Sequence, residues 1–349
     1  MRASVRFRVL HPAKISFSVL VWTPFALLMG TSSAQSELPT VSEILSEVGE
    51  GAIEVKHHDD VIQGELVVST LAEVSDRELA VNAACLVTRS PSEVLAPFLA
   101  DRPAGSGSDI EIISRIEDPK VEAALATLEL GDDAEAEAKR YAGAQPGFEL
   151  NLSIEEYALF AAVDDGDPEL VAKVEAILRD ALGDRIAGYA HSGLDGAKGY
   201  ARGDGKVSRP AQELHRSFEG SGSLAKVFPV FSKIWSDYPE PAVEADSEAW
   251  FWSRLNVDGR PAFMLTHRID AIAPDRGIVA RRGFYFSHFF DAGFEIAGVA
   301  ATVEGNLFFF VRRVWVDHWS GMSSVKRKLG HTMLAGKLRD AIETNGICR

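Results

Sequence analysis

The carboxy-terminal third constrains the fold most. Residues 249–257 alternate, with Trp250, Trp252 and Leu255 among polar neighbours, and Asp258-Gly259 follows as a strong hairpin signal. Residues 262–272 read as the return strand. Three more β runs follow at 278–290, 293–303 and 307–316, with Glu304-Gly305-Asn306 turning between the last two. Consecutive strands joined by short turns make an antiparallel meander. Ser323 or Ser324 then caps one long helix, in which Val325, Leu329, Met333, Leu338 and Ile342 recur at helical spacing. Gly330 and Gly336 weaken that helix, and a close approach to the sheet is the expectation that accounts for them. A sheet and a helix that cover one another place the chain in the α+β class.

Further upstream, Val61-Ile62 with Leu66 to Val68, and Leu79 to Val87, read as strands. Ser90 is placed to cap a helix that Pro91 opens, Glu93 completes a capping box, and Val94, Leu95, Phe98 and Leu99 give it an apolar face. Residues 109–117 look like another strand. The middle of the chain reads as helical and broken by loops. Residues 131–147 suggest an exposed segment or linker, and a second capping box, Ser153 to Glu156, opens residues 153–163. Asp167-Pro168 caps a helix carrying Leu170, Val174, Ile177, Leu178 and Ala181 on one face, with Gly183 as its stop. Residues 188–205 have no period. Ser208-Arg209-Pro210 opens a short helix, Ser223 opens another toward Tyr238, and Pro239 and Pro241 close the region.

A strand, a Pro-led helix, antiparallel strands and a long last helix is the order of the helix-grip fold. On Leu79 to Leu99 and Ala249 to Ile342, the chain resembles the START-like superfamily of polyketide cyclases and lipid-transfer proteins. It also resembles a group of uncharacterised bacterial secreted proteins, through Leu265-Thr266-His267, Phe286 to Phe290, Arg313 with Asp317 and Gly321, and Lys326-Arg327. The first resemblance implies an antiparallel sheet around a long carboxy-terminal helix, with a cavity between them. The boundaries that follow are 1–34 as a signal peptide, 35–130 and 246–349 as the two parts of an α+β core, and 131–245 as a helical insertion.

The amino terminus carries Arg2, Arg6, Arg8 and Lys14, then an apolar stretch from Ile15 to Leu28, then Ser32-Ser33-Ala34, with no acid in the first 36 residues. That pattern predicts a secretory signal cleaved near Ala34 and export to a periplasmic or extracellular space; the apolar run is shorter than the ~20 residues of a membrane span. The formal net charge of -15 argues against a general nucleic-acid binder. Residues 246–349 nonetheless hold 14 Lys/Arg against 11 Asp/Glu, so the acidity belongs to the rest, which reads as a solvated helical surface or a face for an envelope partner. Two cysteines allow one long-range bridge; taken singly, Cys85 reads as a buried small hydrophobe and Cys348 as a free thiol.

No short catalytic motif is present. Gly203-Asp204-Gly205-Lys206 is not a P-loop, and Gly220-Ser221-Gly222-Ser223 lacks the spacing of a nucleophile elbow. His57-His58-Asp59-Asp60 has metal-ligand residue types but reads as a polar turn. Lys326-Arg327-Lys328 reads as a solvated basic turn, and Asn151-Leu152-Ser153 is a glycosylation sequon. Alternation puts His267 on a face with Phe263, Leu265 and Ile269. It puts His288 with Phe284, Phe286 and Phe290, and Arg313 and Asp317 with Phe309, Val311 and Trp315. The candidate ligand-binding set is therefore His267, His288, Arg313, Asp317, Tyr285 and Trp315, with Asp317 or Asp291 as partner for Arg313. The ligand these residues imply is a hydrophobic or amphipathic small molecule, with no metal and no cofactor. Two rival readings are a hydrolase or cyclase using a strand histidine as general base, and a structural envelope protein.

Overall fold

The computed structural model describes residues 38–48, 53–104, 109–117, 122–219, 224–240, 247–316 and 324–348. The proposed signal segment 1–34, Asp317, Gly321, Ser323, Pro241 and the 220–223 tetrapeptide lie outside the described residues. The strands are β1 (Val67–Thr70), β2 (Glu78–Val87), β3 (Ile110–Ile116), β4 (Tyr200–Ala201), β5 (Val207–Ser208), β6 (Ser247–Val257), β7 (Arg260–Ile272), β8 (Arg276–Phe286), β9 (Ala292–Ala301) and β10 (Asn306–Trp315). Strands β4 and β5 pair with each other. The other eight form one antiparallel sheet in the order β1-β2-β10-β9-β8-β7-β6-β3. The chain is thus α+β, with a meander from β6 to β10 that β2 extends at one side and β3 at the other. Asp258 and Gly259 both take positive φ, 51° and 80°, which matches the twist of the β6–β7 hairpin.

Helices cover both faces of this sheet. On one face lie α3 (Pro91–Leu99) and α10 (Ser324–Thr344), over a core that includes Val81, Ala83, Phe98, Phe308, Phe310, Leu338 and Ile342. Helix α3 begins as its sequence demands: Ser90 accepts from the Glu93 amide and Glu93 reaches back to the Ser90 amide. On the other face lie α4 (Ala134–Gly143), α5 (Ile154–Ala161), α6 (Leu170–Ser192), α7 (Pro210–Glu219), α8 (Leu224–Val227) and α9 (Pro229–Asp237). They bury Trp250, Trp252, Phe263, Leu265, Phe284, Phe309 and Trp315. Residues 38–349 gather into one unit of contacts. Among the described residues no helix is long and apolar enough to cross a membrane.

Several local expectations change. Val61 and Ile62 end a short helix, α2 (His58–Ile62), because Val61 packs fully buried beside α1 (Val41–Val48) rather than pairing with a strand. Within 131–147 the chain forms α4 (Ala134–Gly143), whose Glu137, Ala138 and Tyr141 are buried while Glu135, Lys139 and Arg140 are exposed. Gly183 does not stop α6. The helix runs on to Ser192, and buried Arg185, Ile186 and Tyr189 hold its second half against the sheet. In α10, Leu338 and Ile342 are buried, but Leu329 and Met333 are 60% and 58% exposed. Gly336 does not approach the sheet, since a Cβ there would meet nothing within 4 Å. Cys85 and Cys348 are joined in a disulfide, so neither thiol is free. Arg327 is no solvated side chain either: it pairs with Glu73 and donates to the carbonyls of Asp76, Ser75 and Glu78.

Candidate functional site

The side chains of His267, Tyr285, Arg313 and Trp315 lie on the face covered by α4 to α9. His267 is fully buried, with its ring 4.5 Å from that of Trp250 and nearly parallel to it. Tyr189 Oη accepts from Arg282 Nη1 at 2.9 Å, so its proton goes to His267 Nδ1 at 3.2 Å; His267 Nε2 then donates to Glu248 Oε2 at 3.3 Å. Burial lowers the His267 pKa, and the Glu248 bond opposes that only in part. Tyr285 lies under the Arg185 guanidinium, 4.3 Å away, and Arg185 pairs with Glu156 at 2.5 Å. Of the two expected carboxylates, Asp317 lies outside the described residues and Asp291 pairs with other cations. Arg313 pairs with Glu78 at 2.7 Å and donates to the Ala72 carbonyl, because β10 and β2 are neighbours and Glu78 lies two residues from Ala80, the register partner of Arg313, on the same face. Asp291 is occupied by Arg202, Arg77 and Ser208. Trp315 is fully buried, its ring 6.1 Å from that of Phe294.

His288 sits apart from this group, in the β8–β9 connection. Ser287 Oγ accepts from the Phe263 amide at 2.9 Å and lies 3.2 Å from His288 Nδ1; among the described residues His288 Nε2 has no hydrogen-bond partner. Burial, reinforced by Arg260 and Arg140, pushes the His288 pKa down to about 3. The same connection is pinned by Asn151, whose Nδ2 donates to the carbonyls of Phe286 and Phe290 while its Oδ1 accepts from Arg202. Asn151 is buried, so the sequon offers no free amide. His58 is buried as well, between Ser42 Oγ and the Ile53 carbonyl. Among the described residues no three His, Cys, Asp or Glu side chains gather where a metal ion fits.

The opposite face, beneath α10, holds a cavity of about 220 Å³. Its origin can be read from the strand register. Thr266, Gly283, Gly293 and Val314 form one row across β7, β8, β9 and β10, and the paired glycines let the Phe286 ring lie close on the sheet as part of the cavity floor. Apolar residues border the gap: Ile110, Ile113, Leu255, Met264, Phe290 and Leu334 line it and are only half-buried. This face differs from the expected one because of a β-bulge. Leu265 pairs with Tyr285 but Thr266 pairs with Gly283, so Phe284 is an extra residue. Phe284 joins Tyr285 on the helix-covered side, stacking on Tyr189 at 4.1 Å, while Phe286 and Phe290 line the cavity.

The adjoining row is charged: Arg268, Arg281, Glu295 and Arg312 are successive register partners across β7, β8, β9 and β10. Arg268 pairs with Asp270, and Arg312 takes the Glu295 carboxylate at 2.6 Å. Arg281, Glu295, Arg312 and Thr266 line the cavity, and Lys337 on α10 closes its rim through a 2.6 Å pair with Asp109. None of these residues was singled out from the sequence. The available signal was a glycine inside each of two otherwise continuous β runs. A second cavity, of about 230 Å³ between Leu38 and Arg276, is bordered by the exposed side chains of Glu43, Lys226, Asp275 and Arg276, which water solvates.

Comparisons with family models, with curated proteins and with solved structures found no match.

Proposed function

We propose that the chain is an exported, START-like helix-grip protein that binds a small apolar or amphipathic molecule between its sheet and α10. The observation that carries this reading is the cavity itself, bordered by half-buried aliphatic and aromatic side chains and floored by the Phe286 ring, which packs on Gly283. The fold assignment is supported by element order, since β2, α3, β3, the β6–β10 meander and α10 follow the helix-grip sequence, and by the pairing of β2 with β10. Export is supported by the Cys85–Cys348 bridge, a bond that persists in oxidising compartments. A volume of about 220 Å³ is below the ~300–1,000 Å³ of drug-sized pockets, which favours a short chain or a single ring system over a whole lipid. The general-base reading has no observation in its favour, because neither His267 nor His288 lines the cavity.

The test is uptake of 1-octanol by the purified protein, followed by calorimetry. Saturable one-to-one binding is expected, and Leu334→Trp, which fills the gap from the α10 side, is expected to weaken it at least tenfold. Absence of saturable binding, or binding indifferent to the filled cavity, overturns the reading.

A further inference from the structure

One cation lining the cavity, Arg281, makes no ion pair among the described residues, although Glu295 stands opposite it in the β8–β9 register. Arg281 and Thr266 are each 6% exposed and both line the gap. Arg281 donates through Nη2 to the carbonyls of Phe98 and Ala100, at 3.2 and 2.6 Å, and its Nε has no hydrogen-bond partner. The hydroxyl of Thr266 has none either. Of the carboxylates that act on it, Glu295 pairs with Arg312 and Asp270 with Arg268, while Asp101 is exposed to water. The guanidinium lies over the Phe251 ring, its hydrogen bonds go to neutral carbonyls, and the carboxylate opposite it is shared with Arg312, so a carboxylate of its own is the group that would improve its setting. Burial pushes the Arg281 pKa down to about 10, which agrees with that picture and still leaves the side chain cationic at neutral pH.

Resting on the cavity-binding reading above, we infer that the ligand is a monocarboxylate on a short apolar body, with Arg281 and the Thr266 hydroxyl taking its carboxylate. The apolar body lies against Phe286, Leu255 and Leu334. Two features favour a carboxylate over a larger anion. The donors are one guanidinium and one hydroxyl, a set matched to two oxygens in a plane. The gap is small, and the other two cations at its edge, Arg312 and Lys337, already hold acids. A bound water satisfying Thr266 is the competing occupant, and it predicts no preference for an anion.

The experiment compares octanoate with 1-octanol on the intact protein at neutral pH and low salt. Octanoate is expected to bind at least tenfold more tightly. Arg281→Gln is expected to abolish that preference, and Thr266→Val to reduce it severalfold. Equal affinity for the two probes overturns the carboxylate assignment and leaves the cavity reading standing. Binding of neither probe overturns both. The comparison on the unaltered protein decides the question even where Arg281→Gln does not fold.

Discussion

His288 shows what burial does to a titratable side chain in this protein. Its ring is 5% exposed, two arginines act on it, and its pKa falls to about 3 from the usual 6.5. The unfolded chain therefore binds a proton that the folded chain refuses. The contribution of this group to stability is complete above about pH 6.5 and is lost as pH falls from there toward about 3. By pH 5 the loss amounts to about 2 kcal/mol from His288. His267, also lowered by burial, adds a loss of the same sign. The urea midpoint of the unaltered protein is expected to fall steadily between pH 7.5 and pH 5, before ordinary carboxylates titrate. His288→Gln is expected to flatten that slope. A midpoint that stays level across the interval would show that the ring accepts its proton in the folded state.

At the scale of elements, α10 combines strong and weak positions. Leu338 and Ile342 anchor it on β2, whereas Gly336 faces open space with ordinary helical neighbours. An alanine there meets no atom and restricts the unfolded chain, so Gly336→Ala is expected to stabilise the protein by about 0.5–1 kcal/mol. The measurement is a raised urea midpoint with unchanged 1-octanol uptake, and a lowered midpoint would place the Gly336 Cβ direction against the sheet. The elements themselves were legible in the sequence: the β6–β10 meander, β2 and both capping boxes follow from apolar runs, turn residues and Ser-to-Glu spacing. Which face each residue takes was much less legible. In β2 and β8 nearly every position is buried, because helices cover both sides of the sheet. Alternation then has no polar side to anchor it, and His267 and Arg313 on one face look no more apolar than Thr266 and Arg312 on the other. The bulge at Phe284 moves the remainder of β8 out of phase, and no single residue announces it. Helix α4 was hidden for a different reason: Glu135, Lys139 and Arg140 face water, and its short buried side includes a charged residue, Glu137, beside Ala138 and Tyr141.

For the whole molecule, the long-range tether is the disulfide. It joins β2 to the residue before the chain end, 263 positions away, and so binds the end of the cavity's roof to the sheet. Two further contacts reinforce that end: Arg89 donates to the carbonyls of Gly346 and Ile347 at 2.7 Å each, and Ile347 is fully buried. The other end of α10 is held to the β1–β2 connection by Arg327 and by His331, which lies 2.6 Å from Glu73. The helix is thus fixed at both ends, with the gap beneath its middle at Leu334 and Lys337. Cross-linking so long a loop removes much of the entropy of the unfolded chain, and the loop-closure argument gives about 5 kcal/mol as an upper figure, with about 2–4 kcal/mol typical of measured bridges. Cys348→Ser is therefore expected to lower unfolding free energy by about 2–5 kcal/mol. Because the bridge holds the roof, it is also expected to weaken 1-octanol binding severalfold at temperatures where the protein is still folded. Urea titrations and calorimetry on the same samples separate the two effects. A loss of stability with undiminished binding would mean that Arg89 and Ile347 hold the helix end unaided. No loss of stability would mean that the bridge does not form in the folded protein.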